Sequence, residues 1–264
     1  MNNIAILSCW FGEKFNKPQK INSIYDLKVW LYATIKSFLP YQLLDKLGFD
    51  SIIPKSPKDI RNCYFYSNNL KLKKEIIDKG WIFCFLDSTI NNGESIESSL
   101  LAKKVKFLQL NDENTSAIYS FEHLIYMDSR RITDDIIKII KLNTKGILIR
   151  KTPREKTTVW HEVDEAKGQE RYAKSMAQTV DFINAKIDMG YSPESRVMNT
   201  GVIAYHMKSP EVKAEIHSLC DEVYNACLDL AQPECQIFWC ILSQRYTQII
   251  NQLDFSVIQT RTGA

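Results

Sequence analysis

Residues 118–131 read IYSFEHLIYMDSRR, an apolar run from His123 to Met127 that stops abruptly at Asp128-Ser129-Arg130-Arg131. A short apolar run with so sharp a polar break suits a buried strand that delivers a carboxylate to a sheet edge. In open α/β sheets, ligands bind just beyond the carboxyl ends of the strands. The bland alternative, that Asp128 only caps the following turn, fits the residue type equally well.

Strands and helices alternate on either side of this stretch. Upstream, Ile4–Cys9 reads as a buried strand followed by the turn Trp10-Phe11-Gly12, then a helix over Asn22–Leu47 broken at Pro40. Asp59–Ser67 is a second strand, KLKKEIIDKG a short helix closed by Gly80, and Trp81–Leu86 a third strand. Ser98–Leu110 is a helix whose Lys103, Lys104 and Lys106 project around an apolar side, by default a solvated face. Downstream, Thr133–Lys141 is a helix capped by Thr133, and Gly146–Arg150 a short strand. WHEVDEA leads into one helix carrying Tyr172, Met176, Val180, Ile183 and Ile187, stopped by Gly190. Asn199–His206 is a strand, Ser209-Pro210-Glu211 opens a helix, and Glu234–Arg245 is an apolar helix. FSVIQTRTGA at the end receives no role. The economical fold is α/β: a mostly parallel sheet flanked by helices, with a helical C-terminal part.

Composition bounds the function. The 264 residues are 45% hydrophobic and 25% charged with a net charge of +3, which fits a soluble globular chain of one large domain or two small ones. With no long basic block, nucleic acid is not an expected partner, whereas anionic ligands such as nucleotide phosphates are allowed. The seven cysteines form no CxxC pair and no zinc spacing, which points to free core thiols and a reducing, cytoplasmic setting. The N-terminal MNNIAILSCWFGEKF lacks the pattern of a secretory leader, and no apolar stretch reaches the roughly 18 residues of a membrane span.

The order of elements carries more than any one of them. YFYSNN, KGWIFCFLD, the lysine-bearing SSLLAKKVKF, a strand ending YMDSRR, KTPREKTTVWHEVDEA, NTGVIAYH and PECQIFWCIL follow one another in turn. Over most of residues 1–245 this progression resembles nucleotide-sugar glycosyltransferases of the GT-A (Rossmann-like) fold. It is most similar to the glycosyltransferase-like group whose domain was long known only as one of unknown function. The resemblance implies a nucleotide-sugar donor and a glycan or lipid-linked acceptor, with a nucleotide-binding half over about 1–150 and an acceptor-side half over about 151–264. Peripheral membrane association is compatible with a lipid-linked acceptor.

Glycosyl transfer expels a nucleoside diphosphate, so the resemblance also implies a divalent cation, Mn2+ or Mg2+, on an Asp-x-Asp motif. Here Asp128 has no second aspartate: Arg130 stands in its place, which puts the metal in doubt. Arg130 or Arg131 offers a guanidinium for the phosphates instead. Lys103 and Lys106, three apart on a helix, would face the same diphosphate. His161 and Glu165, four apart, are candidates for acid/base work against a plain surface pair, with Glu162 as the competing carboxylate. Glu234 is a candidate base or a helix cap, and Gln236 a donor ligand. Cys235 lacks an obvious activating cation as a nucleophile. Asn199, Thr200 and Gly201 are placed beside the donor sugar, or else form a strand entry. Ser8, Trp10 and Asn68 are placed at the base and ribose, with core packing equally able to explain Trp10. Two other readings remain open: a sugar-nucleotide nucleotidyltransferase, for which the single glycine of SCWFGEKFNKP is a poor phosphate loop, and a carbohydrate-binding protein that has lost its chemistry.

Overall fold

A computed structural model of the chain describes residues 3–13, 27, 30, 31, 34, 52–90, 93, 95–110, 117–153 and 155–261. Its strands are β1 (Ile4–Cys9), β2 (Cys63–Ser67), β3 (Ile82–Phe85), β4 (His123–Met127), β5 (Ile147–Lys151), β6 (Met198–His206) and β7 (Ile250–Leu253). They form one sheet in the order β3-β2-β1-β4-β6-β5-β7. β6 runs antiparallel to both neighbours, β4 and β5, and every other pairing is parallel.

β1 is buried at all six positions, which its continuous apolar sequence requires: a central strand covered on both sides has no solvent face. Alternation then sorts the side chains. Leu7, Leu124, Tyr126, Ile203 and Tyr205 point into one core, under α2 (Ile96–Lys106), α7 (Pro210–Asp229) and α8 (Cys235–Leu242). Ile4, Ile6, Ile125, Met127 and Val202 point into the other, under α1 (Lys73–Asp78) and α3 (Ile136–Leu142). A third cluster joins α4 (Val159–Lys167), α5 (Glu170–Ala173) and α6 (Met176–Asp188) to α8 through Val163, Tyr172, Ile183, Ile237 and Ile241. α8 is buried on all sides, and truncating a residue such as Ile241 there should cost about 2–5 kcal/mol.

The α/β class, a mostly parallel mixed sheet flanked by helices, is as the sequence led us to expect. Several details differ. The helix expected over Asn22–Leu47 lies outside the described residues except at Leu27, Trp30, Leu31 and Thr34, which are helical. The strand read from Asp59 starts only at Cys63, because Asp59 turns with a positive φ of 62°. The single helix read through Tyr172 to Ile187 is broken into α4, α5 and α6, with Gly168 closing the first of them. Thr133 caps no helix; its hydroxyl takes the Asp135 amide at 3.1 Å and donates to the Gln259 carbonyl. β7 was not expected, nor was the docking of the segment after it. Ile258 is buried in the second core and Arg261 bonds Asp134 and the Ile132 carbonyl, so residues 255–261 dock against the rest of the chain. Among the described residues no helix is long and apolar enough to cross a membrane.

Candidate functional site

β1 has β2 on one side and β4 on the other, so the connections leaving it and returning to β4 diverge to opposite sides of the sheet. Beyond the carboxyl ends of two such strands there is necessarily a crevice. It is an open cleft of about 740 Å3, walled by Trp10 and Phe11 after β1, Asp128–Arg131 after β4, Ser98 and Ala102 of α2, and Gln169–Arg171 at α5. Being antiparallel, β6 brings its first residues to this edge. Its register against β5 slips between Ile149, opposite Ile203, and Arg150, opposite Asn199. The bulge leaves Thr200 and Gly201 turned to β4, where the Asp128 amide donates to the Gly201 carbonyl at 2.8 Å.

Asp128 is the centre of the cleft floor. Its Oδ1 accepts from the Tyr126 hydroxyl at 2.8 Å and from Lys106 Nζ at 3.2 Å. Tyr126 reaches it because residues two apart on a strand share a face. Lys106 is buried, with Thr200 Oγ1 3.5 Å away and the Tyr126 ring centroid 5.0 Å away. Burial pushes the Asp128 carboxyl upward, but the ammonium groups of Lys106 and then Lys103 outweigh it and hold the group below the usual carboxylate range. Lys103, half-buried one turn earlier, is likewise opposed by burial yet raised by Cys235, Asp128 and Glu234. Burial and the Asp128 charge push Tyr126 well above its usual range, so it remains a donor. Burial pushes Cys9 to about 12, which makes it a thiol and no nucleophile.

This arrangement corrects one expectation and bears on another. Lys106 does not project from a solvated face; it is buried and paired with Asp128. At Asp128 an incoming metal would find a single carboxylate whose Oδ1 already faces an ammonium. Arg130 and Arg131 are both exposed on the cleft rim. Gly201 leaves the room in which Asp128 and Arg131 approach the start of β6. A Cβ there would lie 3.1 Å from Asp128 Oδ2 and 3.2 Å from Arg131 Cγ.

A second polar cluster lies beside the first. Glu234 caps α8, accepting from the Gln236 amide at 3.3 Å. Gln236 Nε2 donates to Glu162 at 3.0 Å and to Glu234 at 3.3 Å, tying the two carboxylates together. Lys156 closes the cluster by pairing with Glu162 and, at 2.8 Å, with Glu165. Burial, then the Glu234 charge, raises Glu162 against the pull of Lys156. Thr200 Oγ1 stands 3.2 Å from Cys235 Sγ, and Lys103 responds to both Asp128 and Glu234, so it lies between the two clusters.

His161 and Glu165 find separate partners rather than each other. α4 starts at Val159 and turns Val159, Glu162, Val163 and Ala166 inward, which leaves His161 and Glu165 on the outer face. His161 serves the helix N-terminus instead, its Nδ1 3.4 Å from the Thr158 amide. Ser8 is wholly buried, at a position that alternation assigns to the side of Ile4 and Ile6, away from Tyr126 and Asp128. Asn68 is structural in its contacts: its side chain accepts from the Gly12 amide at 2.8 Å and donates to the Ser88 and Ile90 carbonyls, stapling the loops after β1 and β3. Gly12 has φ of 97°, which a side chain would resist. Trp10 does line the cleft, its ring packed so closely on Gly93 that a Cβ there would be 2.8 Å from Cζ2.

Sequence reasoning missed Tyr126, Arg150, Lys156 and Arg171. Tyr126 was findable, two residues before Asp128 on the same strand face. Arg150 was not. It is fully buried, bonded to the Ile258 carbonyl at 3.0 Å and to Asn199 Oδ1 at 3.4 Å, with Phe255 stacked 4.6 Å from the guanidinium. Its Nε has no hydrogen-bond partner among the described residues. Burial, and then Arg131, lower it to about 10, with Asp128 opposing.

No protein-family model matches the chain, and no curated protein matches it. Among solved structures, the chain is similar to mouse xyloside xylosyltransferase 1 in its apo form, at 12% identity over 95% of this chain and 84% of that one, with a TM-score of 0.40. It is also similar to mannose-1-phosphate geranyltransferase from Thermus thermophilus, at 11% identity over 96% of this chain and 74% of that one, with a TM-score of 0.36.

Proposed function

We propose that the protein is a glycosyltransferase that takes a sugar from a nucleotide-sugar donor bound in the cleft beyond β1 and β4. The observation that carries this reading is the cleft floor: an ionised Asp128 at the switch point, with Lys103 beside it and Arg130, Arg131 and Arg171 around the opening. A nucleotide-sugar needs both signs of charge. The carboxylate Oδ2 accepts hydrogen bonds from ribose or sugar hydroxyls, while fixed cations neutralise the diphosphate as it leaves. Trp10 offers an aromatic face to the base. Here the cations take the role that a metal plays on an Asp-x-Asp motif. Glu162 and Glu234, held together by Gln236, supply the acid/base pair on the acceptor side, with burial favouring the protonated form of Glu162.

The test is a panel of nucleotide-sugars incubated with the protein and an acceptor mixture, scored for free nucleoside diphosphate with and without chelator. Release that survives chelator and falls at least tenfold in Arg130→Ala is the expected result. Loss in chelator that Mn2+ or Mg2+ restores would reject the cation reading. Pyrophosphate release from a nucleoside triphosphate plus sugar phosphate would instead identify a nucleotidyltransferase. Failure to bind any nucleoside diphosphate would reject both.

A further inference from the structure

At the opposite edge of the sheet, where β4 begins and β6 ends, two histidines face each other across the strands. His123 and His206 are register partners with ring centroids 4.4 Å apart. Glu122 leans over both: its Oε1 is 3.1 Å from His206 Nε2 and 3.8 Å from His123 Nε2. Five strand residues at about 3.4 Å each put this cluster about 17 Å from Asp128, so the cleft does not use it.

The proton arithmetic of the cluster is informative. His206 Nδ1 is 3.2 Å from the Asn143 carbonyl, and a carbonyl only accepts, so that nitrogen carries the hydrogen. In the neutral ring Nε2 is then a lone pair aimed at a carboxylate oxygen, two acceptors face to face. A cation between them satisfies both: either a proton that makes His206 an imidazolium beside a neutral His123, or a metal ion that Glu122 Oε1, facing both rings, would share. A single metal ion satisfies all three groups at once.

We propose that His123, His206 and Glu122 hold a divalent transition metal of the Zn2+ type, with solvent as a fourth ligand. Imidazole and carboxylate are the ligands such ions prefer. Bonds of about 2.0–2.1 Å in a tetrahedron put ligand atoms about 3.3 Å apart, and the two observed separations bracket that value. One ligand atom from each residue already lies within 4.8 Å of the others, and this is the single convergence of three such side chains among the described residues. The surroundings hold the ligands in place. The Asn143 carbonyl fixes the His206 tautomer and ring, while the Asn3 amide donates to Glu122 Oε2 at 2.7 Å. Both histidine side chains are over four-fifths covered and that of Glu122 is 45% exposed, which leaves a path of entry. The ion would pin the first residues of β1, through Asn3, to the ends of β4 and β6. It is a structural clasp independent of transfer chemistry.

Titration calorimetry of the metal-free protein with Zn2+, read beside Co2+ absorption and thermal melting, tests this without reference to activity. The expected result is uptake of one ion per chain with a tetrahedral Co2+ spectrum and a Tm that rises with Zn2+. Glu122→Gln, at an exposed position, and His206→Gln should each weaken that uptake by more than about 100-fold, beyond what loss of an outer-shell partner costs. His161→Ala, a histidine outside the cluster, should leave it unchanged. No uptake, or uptake equal in Glu122→Gln and wild type, would overturn the proposal. Destabilisation by His206→Gln in a protein that takes up no metal would mean that a proton bridges the pair instead.

Discussion

The Asp128–Lys106 pair should cost different amounts when cut from its two ends. The Lys106 side chain is 3% exposed, that of Asp128 40%. Asp128→Asn keeps the acceptor for Tyr126 but strands a buried ammonium, left with the Thr200 hydroxyl at 3.5 Å and the Tyr126 ring. Breaking a buried pair this way costs about 3–5 kcal/mol, and those residual neighbours put the expectation near 3. Lys106→Met instead strands a carboxylate that water reaches and Tyr126 still serves, at about 1 kcal/mol or less. The double variant should then be more stable than Asp128→Asn alone. In urea, with a slope of about 3 kcal/mol/M, Asp128→Asn moves the midpoint by about 1 M and Lys106→Met by about a third of that. The pH dependence has a defined sign. Because the folded carboxyl is held below its unfolded value of about 3.9, its contribution is present above that pH and lost as pH falls through the folded value. The Asp128→Asn deficit should therefore be constant from pH 7 to about 4 and close below it. Equal midpoint shifts for the two single variants, or a double variant less stable than both, would refute the reasoning.

Two further outcomes follow from the cleft. Trp10→Ala should weaken nucleoside diphosphate binding roughly fivefold or more, as one base–aromatic stack is worth about 1–3 kcal/mol, with binding measured by calorimetry; unchanged affinity would return Trp10 to the core. Gly201→Ala should fold, with a loss of about 1 kcal/mol, because the atoms its Cβ meets are side chains that can yield by tenths of an ångström. Since one of them is Asp128, kcat/KM should fall about tenfold, and a variant with wild-type turnover would take Asp128 out of the donor site.

The alternation of elements and the end of β4 were legible because their signals are local. A covered strand must be apolar throughout, and its polar break marks the sheet edge. β7 was not legible: INQL is four residues, half of them polar, and it becomes a strand only because β5, about a hundred residues earlier, offers it an edge. The lysines of α2 look alike in sequence. Lys106 is the one drawn inside because Tyr126 and Asp128, from another element, meet it there. The choice of Glu162 over the His161–Glu165 pair differs, since its signal was present. The stripe Val159, Val163 and Ala166 sets the helix phase, and Glu162 falls on it.

Arg130, two residues after Asp128, and the burial of Lys106 are separate features, at the chain level and the packing level, with one electrostatic consequence. A divalent ion on Asp128 would share that carboxylate with an ammonium fixed 3.2 Å from Oδ1. At about 4 Å and an effective dielectric of about 20, the repulsion between +2 and +1 is about 8 kcal/mol, which offsets about half of the roughly 15 kcal/mol that a carboxylate about 2.2 Å from the ion returns on the same scale. Arginine at position 130 offers an ion no second carboxylate and adds a charge of its own. The fixed-cation site proposed above needs nothing further, because Lys106 holds Asp128 ionised and positioned and would leave Lys103, Arg130, Arg131 and Arg171 for the phosphates. On the proposed reading Asp128 accepts hydrogen bonds through Oδ2, and a metal site should need both Arg130→Asp and loss of the Lys106 ammonium; Mn2+ binding by Arg130→Asp alone, measured by calorimetry, would refute it.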